Sequence, residues 1–162
     1  MEINVKNFKE FLTEEEAIEF ALTYKDYVNT SIQYEQQILI GSIQSHSLTL
    51  SLEQDKKYID AIAECLKKVE PTSIDIILYR CGELHPENRP YVSATLLKKT
   101  TKKYKKNKYI NFNNLHKIYV PKGSKIFPLR ALGEDFGDGE AEIIISTKCI
   151  QKISGKYIYI QD

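Results

Sequence analysis

The chain has no apolar run approaching the length of about 20 residues that crosses a bilayer. Its first residues, Met1-Glu2-Ile3-Asn4-Val5-Lys6, lack the basic region followed by an apolar one that marks a secretory leader. No membrane association is expected, and the chain is expected to be cytoplasmic, in the producing cell or in a host cell that expresses or receives it. Only three cysteines occur, Cys65, Cys81 and Cys149, an odd number without metal-ligand spacing. They argue against a disulfide framework and a zinc site, and for idle or buried thiols in a reducing compartment. No internal repeat and no composition shift marks a linker. The 162 residues, 42% apolar, suit one domain able to bury roughly two thirds of its unfolded surface.

The formal net charge of +1 conceals an asymmetry. Residues 1–90 carry 9 Lys/Arg against 16 Asp/Glu, and residues 91–162 carry 14 against 6. Much of the basic excess lies in Lys98-Lys99-Thr100-Thr101-Lys102-Lys103-Tyr104-Lys105-Lys106-Asn107-Lys108. Such a run attracts phosphates or an acidic partner, or is simply a solvated loop. One tyrosine within it is thin support for nucleic-acid binding, which combines several stacking platforms with a charged groove.

The first 70 residues read as helical. Thr13, with Glu16 three positions on, forms a capping-box pattern, and acids fill the first turn where the helix dipole favours them. Ala17, Phe20, Ala21, Tyr24 and Val28 recur at helical spacing. A second helix is expected around Tyr34 to Ile43 and a third from about Leu52 to Val69, stopped by Pro71. The period then changes. Ile74-Asp75-Ile76-Ile77-Leu78-Tyr79 is short, apolar and β-branched, as in a strand buried on both faces. Further strands are predicted over 91–96, 117–120, 125–130, 141–146 and 156–160, with turns at Pro121-Lys122-Gly123 and Gly137-Asp138-Gly139. Helices followed by strands indicate an α+β fold in one domain, 1–162, with a helical part of about 1–70 and a strand-rich part of about 71–162.

Three segments on the predicted strands carry chemistry. Arg80 follows an apolar run, so its planar donor fork should emerge at a strand end, where it can grip a phosphate or ribose or form an ordinary surface ion pair. Ser93 and Thr95 lie two apart and share a face. Glu140 and Glu142 also share a face, just before Ile143-Ile144-Ile145. Paired carboxylates can stabilise the positive charge that develops when a glycosidic bond breaks and accept a proton from the incoming nucleophile.

In this order, the arginine, the Ser-x-Thr and the Glu-x-Glu resemble the active-site signature of the arginine-serine-glutamate class of mono-ADP-ribosyltransferases, the group of the binary actin-modifying toxins and the C3-like exoenzymes. Ile118-Tyr119-Val120-Pro121-Lys122-Gly123-Ser124 is similar to that family's strand and turn before its target-recognition loop. The resemblance implies helices beside two antiparallel or mixed sheets that form an NAD cleft. It also implies that Arg80 contacts the NAD phosphates and nicotinamide-side ribose, that Ser93 orients the catalytic glutamate, and that Thr95 supports the strand framework. Glu142 is then the catalytic glutamate and Glu140 the substrate-facing one, which points to an arginine acceptor on a protein target. Tyr109 falls near the nicotinamide-stacking aromatic, and Phe136 where an aromatic is presented to the target. Two departures accompany the match: Cys81 stands where binary toxins commonly have a second arginine, and Phe112 lies near the position of another expected arginine. No metal is implied. The alternatives are an NAD glycohydrolase with water as acceptor, a catalytically silent NAD- or target-binding module, and a basic nucleic-acid-binding domain, which leaves the Glu-x-Glu unexplained. A phage-encoded modifier of host machinery and an effector delivered by a separate partner both fit the sequence.

Overall fold

A computed structural model describes residues 4–42, 56–87, 89–98, 115–133 and 142–161. The N-terminal helices begin where the capping box directs. Helix α1 runs over Glu14–Leu22, and the Thr13 hydroxyl accepts from the Glu16 amide at 3.2 Å. The Glu16 carboxylate reaches back to the Leu12 amide at 3.4 Å and to Lys9 Nζ at 2.9 Å, so the Thr13 bond satisfies one orphan amide of the first turn and the Glu16 bonds fasten the segment that leads into it.

The apolar stripe from Ala17 to Val28 is divided between two helices. After Leu22 the chain tightens, with the Thr23 and Tyr24 amides bonding three residues back and the Thr23 hydroxyl donating to the Phe20 carbonyl at 2.6 Å. A hydroxyl that competes for helical carbonyls in this way ends a helix readily. Helix α2 follows over Lys25–Ser31. The stripe keeps its purpose, because Ala17, Phe20, Ala21, Tyr24 and Val28 are all buried. Gln37, in helix α3 (Tyr34–Ser42), donates to the Val28 and Ile32 carbonyls at 3.2 and 2.9 Å and so closes the C-terminal end of α2. Helix α4, Lys56–Lys68, packs on α3 and buries Ile59, Ala61, Ile62, Cys65 and Leu66. The expected start of that helix near Leu52 lies outside the described residues. Among the described residues, no helix is long and apolar enough to cross a membrane.

Seven strands follow: β1 Ile76–Cys81, β2 Tyr91–Thr95, β3 Leu115–Val120, β4 Phe127–Pro128, β5 Glu142–Ser146, β6 Ile150–Ile153 and β7 Lys156–Tyr159. They hydrogen-bond in the order β4-β5-β2-β1-β3-β7-β6, a mixed sheet in which β3 and β7 are the parallel pair. The two expected sheets correspond to its two halves. β2 pairs with β5 from Tyr91 to Thr95 and β1 with β3 from Ile76 to Cys81, whereas β1 and β2 meet at Tyr79 opposite Thr95. Both halves feed one core, in which Ile76, Leu78, Ile118, Val120, Ile143, Ile144 and Ile145 are fully buried. Each such side chain contributes about 1.5–3 kcal/mol on burial.

Two strands differ from expectation. Over 125–130 only Phe127–Pro128 is strand, because Pro128 has no amide to continue a ladder and Leu129–Leu132 turns as a 3-10 helix that touches α1, α2 and α3. Strand β6 was not anticipated. It is an edge strand, with Gln151 and Lys152 exposed, joined to β7 through Ser154 (φ 52°) and Gly155 (φ 80°). The Pro121-Lys122-Gly123 turn is present, with Gly123 at φ 92° and the Ser124 amide 3.2 Å from the Pro121 carbonyl. Thr72 and Asp75 clamp this turn to the start of β1, through Thr72 Oγ1 to the Pro121 carbonyl at 3.1 Å and the Lys122 amide to Asp75 Oδ1 at 2.7 Å.

Candidate active site

The central strands bring together Arg80, Ser93, Thr95 and Glu142. Strand β2 alternates: Val92 and Ala94 are buried on one face, while Tyr91, Ser93 and Thr95 are half-buried on the other. On β5, Ile144 pairs with Ser93 and Glu142 with Thr95. Directly opposed side chains in an antiparallel pair stand about 4.5–5.5 Å apart at Cβ, and diagonal ones about 7–8 Å. The Glu142 carboxylate therefore starts beside the Thr95 hydroxyl, with the Ser93 hydroxyl its diagonal neighbour on the same face. The three isoleucines after Glu142 root β5 in the core, and the glutamate itself is half-buried at the strand's first position. The Thr95 side chain accepts from the Leu97 amide at 3.1 Å, an ST-turn that terminates β2 next to Glu142.

Arg80 is the penultimate residue of β1, at the strand end where the sequence put it. Tyr79 is the residue opposite Thr95, so Arg80 leaves the strand on the alternate side. Its guanidinium nevertheless reaches the junction of the two halves, where Nη1 donates to the Ser93 carbonyl at 2.8 Å and Nε to the Glu83 carbonyl at 2.7 Å. The loop after β1 makes the second bond available by turning at Gly82, whose φ of 126° suits glycine and not other L-residues. Arg80 is thus tied to the backbone of the residue whose hydroxyl neighbours Glu142. Cys81, next along, is half-buried, and burial pushes its thiol up despite the opposing influence of Arg80.

One residue that sequence reasoning missed is His116. It stands directly opposite Arg80 on β3, and its ring lies edge-on to Tyr157 of β7 at 5.3 Å between centroids. Burial, and secondarily the Arg80 charge, hold its imidazole below the usual range. No motif marks it, because only the β1–β3 register places it there. Tyr109, Phe136 and Glu140 lie outside the described residues. Of the basic stretch, Lys98 is described, exposed and with its ammonium 6.0 Å from the Tyr79 ring centroid.

No protein-family model and no curated protein matches the chain. Solved structures do. A C3 ADP-ribosyltransferase from Clostridium botulinum superposes with a TM-score of 0.62 at 15% identity over 96% of this chain and 98% of that one. An ADP-ribosyltransferase toxin from Paenibacillus larvae gives 0.61 at 14% identity over 85% of each chain. The C3 exoenzyme of Clostridium limosum gives 0.58 at 14% identity over 96% of this chain and 97% of that one. The α+β architecture built above is that of the C3-like ADP-ribosyltransferase toxins, and the chain has the ADP-ribosyltransferase fold.

Proposed function

We propose that this protein is an NAD-dependent mono-ADP-ribosyltransferase that modifies an arginine side chain of a protein target and releases nicotinamide. The observation that carries the reading is the row across the central strands, with Glu142 opposite Thr95, Ser93 beside them, and the Arg80 guanidinium bonded to the Ser93 carbonyl. The fold supports the same reading. The donor set suits a dinucleotide: a fixed guanidinium offers charge-assisted hydrogen bonds to phosphate or ribose oxygens, worth about 1.5–3 kcal/mol each, and a nearby carboxylate offers the opposite charge to the reacting sugar.

In this reading NAD brings the leaving group, and the chain's residues position and stabilise. Arg80 holds the phosphates and the nicotinamide-side ribose. Glu142, oriented by Ser93, stabilises the positive charge that builds on the ribose as its bond to nicotinamide breaks. Glu140 faces the acceptor guanidine and accepts its proton as the nitrogen–ribose bond forms. Tyr109 stacks on the nicotinamide and Phe136 meets the target. These last three assignments rest on the resemblance of the sequence to the ADP-ribosyltransferase signature.

The test is labelled NAD incubated with the protein and a cell lysate, following nicotinamide release and label on protein together. Wild type should label a discrete acceptor. Glu142→Ala should lose both signals by a factor of about 10²–10³, the usual worth of one preorganised group that stabilises transition-state charge. Glu140→Gln should lose labelling and retain nicotinamide release. Glu142-dependent release with no labelling by the wild type would indicate a glycohydrolase instead, and NAD left intact by all three proteins would overturn the enzymatic reading.

A further inference from the structure

Strand β3 places a titratable ring opposite the arginine assigned to the phosphates, and the surroundings of that ring are cationic and aromatic. From β1 His116 faces Arg80, from β7 it meets the Tyr157 ring, and from β6 Lys152 Nζ lies 5.5 Å from the centroid of that same ring. The loop after β1 brings the Glu83 carbonyl to Arg80 and carries the exposed side chains of Glu83, His85 and Glu87. That loop is held in place. The His85 ring bonds the Ile150 carbonyl at 2.8 Å, and the Thr147 hydroxyl donates to the Arg89 and Pro90 carbonyls, each at 3.1 Å. Arg80, His116 and Tyr157 are all half-buried, neither sealed in the core nor fully solvated.

Like charges directly opposite each other on a sheet are unfavourable. An imidazole opposite a permanently charged guanidinium therefore resists protonation, and it ceases to resist when an anion lies between or above the two. A pyrophosphate supplies such an anion. We propose that His116 is a second phosphate-binding residue that acts with Arg80 on the pyrophosphate of NAD and takes up a proton as the dinucleotide binds. This inference rests on the NAD reading above and adds to it a residue and a proton linkage.

The sign follows from the geometry. In the free protein the imidazole is neutral at neutral pH, held low by burial and by Arg80. In the complex the pyrophosphate favours the charged form, so affinity is highest in acid and falls as pH rises through the imidazole range of the complex. The pyrophosphate is itself fully ionised across this interval, so a pH profile reports the protein.

The experiment measures the dissociation constant of ADP-ribose from about pH 5.5 to 8.5, the span in which an imidazole titrates, for wild type, His116→Gln, His116→Phe and His85→Gln. The Phe variant keeps a ring against Tyr157 and guards against simple misfolding, and the His85 variant controls for the other described histidine. Wild type and His85→Gln should weaken about tenfold or more from the acid to the alkaline limit, the effect of a shift of about one unit in the imidazole. Both His116 variants should bind with a flat profile near the alkaline wild-type value, and the His116 ring resonances should titrate higher with ADP-ribose than without it. A flat wild-type profile, or His116 variants that retain the wild-type profile, would overturn the proposal while leaving the NAD reading intact. Absence of ADP-ribose binding together with unconsumed NAD would overturn both.

Discussion

At the scale of the residue, the site depends on how one guanidinium is fixed. Arg80 is bonded to two backbone carbonyls, of Ser93 across the strand and Glu83 in the following loop, and the second is placed by the turn at Gly82. A Cβ at Gly82 would meet Arg80 Nη2 at 3.7 Å, an ordinary contact, so the obstacle to substitution is the backbone and not space. Gly82→Ala is therefore expected to strain the turn by about 1–3 kcal/mol and, as the loop relaxes, to displace the Glu83 carbonyl. Denaturant titration should show the stability loss, and ADP-ribose affinity should fall about tenfold, the worth of one hydrogen bond to a charged group. Unchanged affinity would mean that the Glu83 bond does not position Arg80. In the sequence, Arg80, Ser93, Thr95 and Glu142 were legible as residue types on strands, since apolar runs and alternation mark strands locally. Their proximity, and the position of His116 opposite Arg80, depend on register between segments far apart in the chain, which local pattern does not encode.

At the scale of the element, the start of α1 was readable to the residue. Thr13 and Glu16 are the capping residues: the Thr13 hydroxyl accepts from the Glu16 amide as such a pattern predicts, while the Glu16 carboxylate accepts from the Leu12 amide, one residue before the cap. Thr13→Ala should cost about 1 kcal/mol, read as a lower denaturation midpoint with an unchanged slope, and Thr13→Ser should restore most of it. The break at Thr23 was not readable, because the apolar spacing continues through it and only the hydroxyl's bond to Phe20 reveals that the helix has ended. Strand β6 was hidden for a related reason: as an edge strand it exposes Gln151 and Lys152, and polar residues on an open edge do not stand out as a strand. The 125–130 segment misled in the opposite direction. Its apolar residues Ile126, Phe127 and Leu129 are buried, but the strand is only Phe127–Pro128, and from Leu129 the chain turns as a 3-10 helix in contact with α1, α2 and α3.

At the scale of the whole molecule, the two halves of the sheet are tied by more than Tyr79 and Thr95. Tyr159, almost wholly buried on β7, accepts from the Ser146 amide at the end of β5 at 3.0 Å and donates to the Lys125 carbonyl at 3.2 Å. Burial pushes its phenol up, so it remains neutral and able to donate throughout the working pH range. Tyr159→Phe takes a partner from the buried Ser146 amide and from the partly buried Lys125 carbonyl and should cost about 1–3 kcal/mol, measurable as a lower Tm, with little effect on the site's chemistry. The likeness to the C3-like toxins is one of architecture, and the activity proposed here rests on the central strands' own residues. The most direct test is the rate of nicotinamide release from NAD by wild type and Glu142→Gln, with ADP-ribose binding measured on both proteins. The variant should bind ADP-ribose nearly as well as wild type and release nicotinamide at least about 10²-fold more slowly. Equal rates in the two proteins would remove Glu142 from the chemistry and the transferase reading with it.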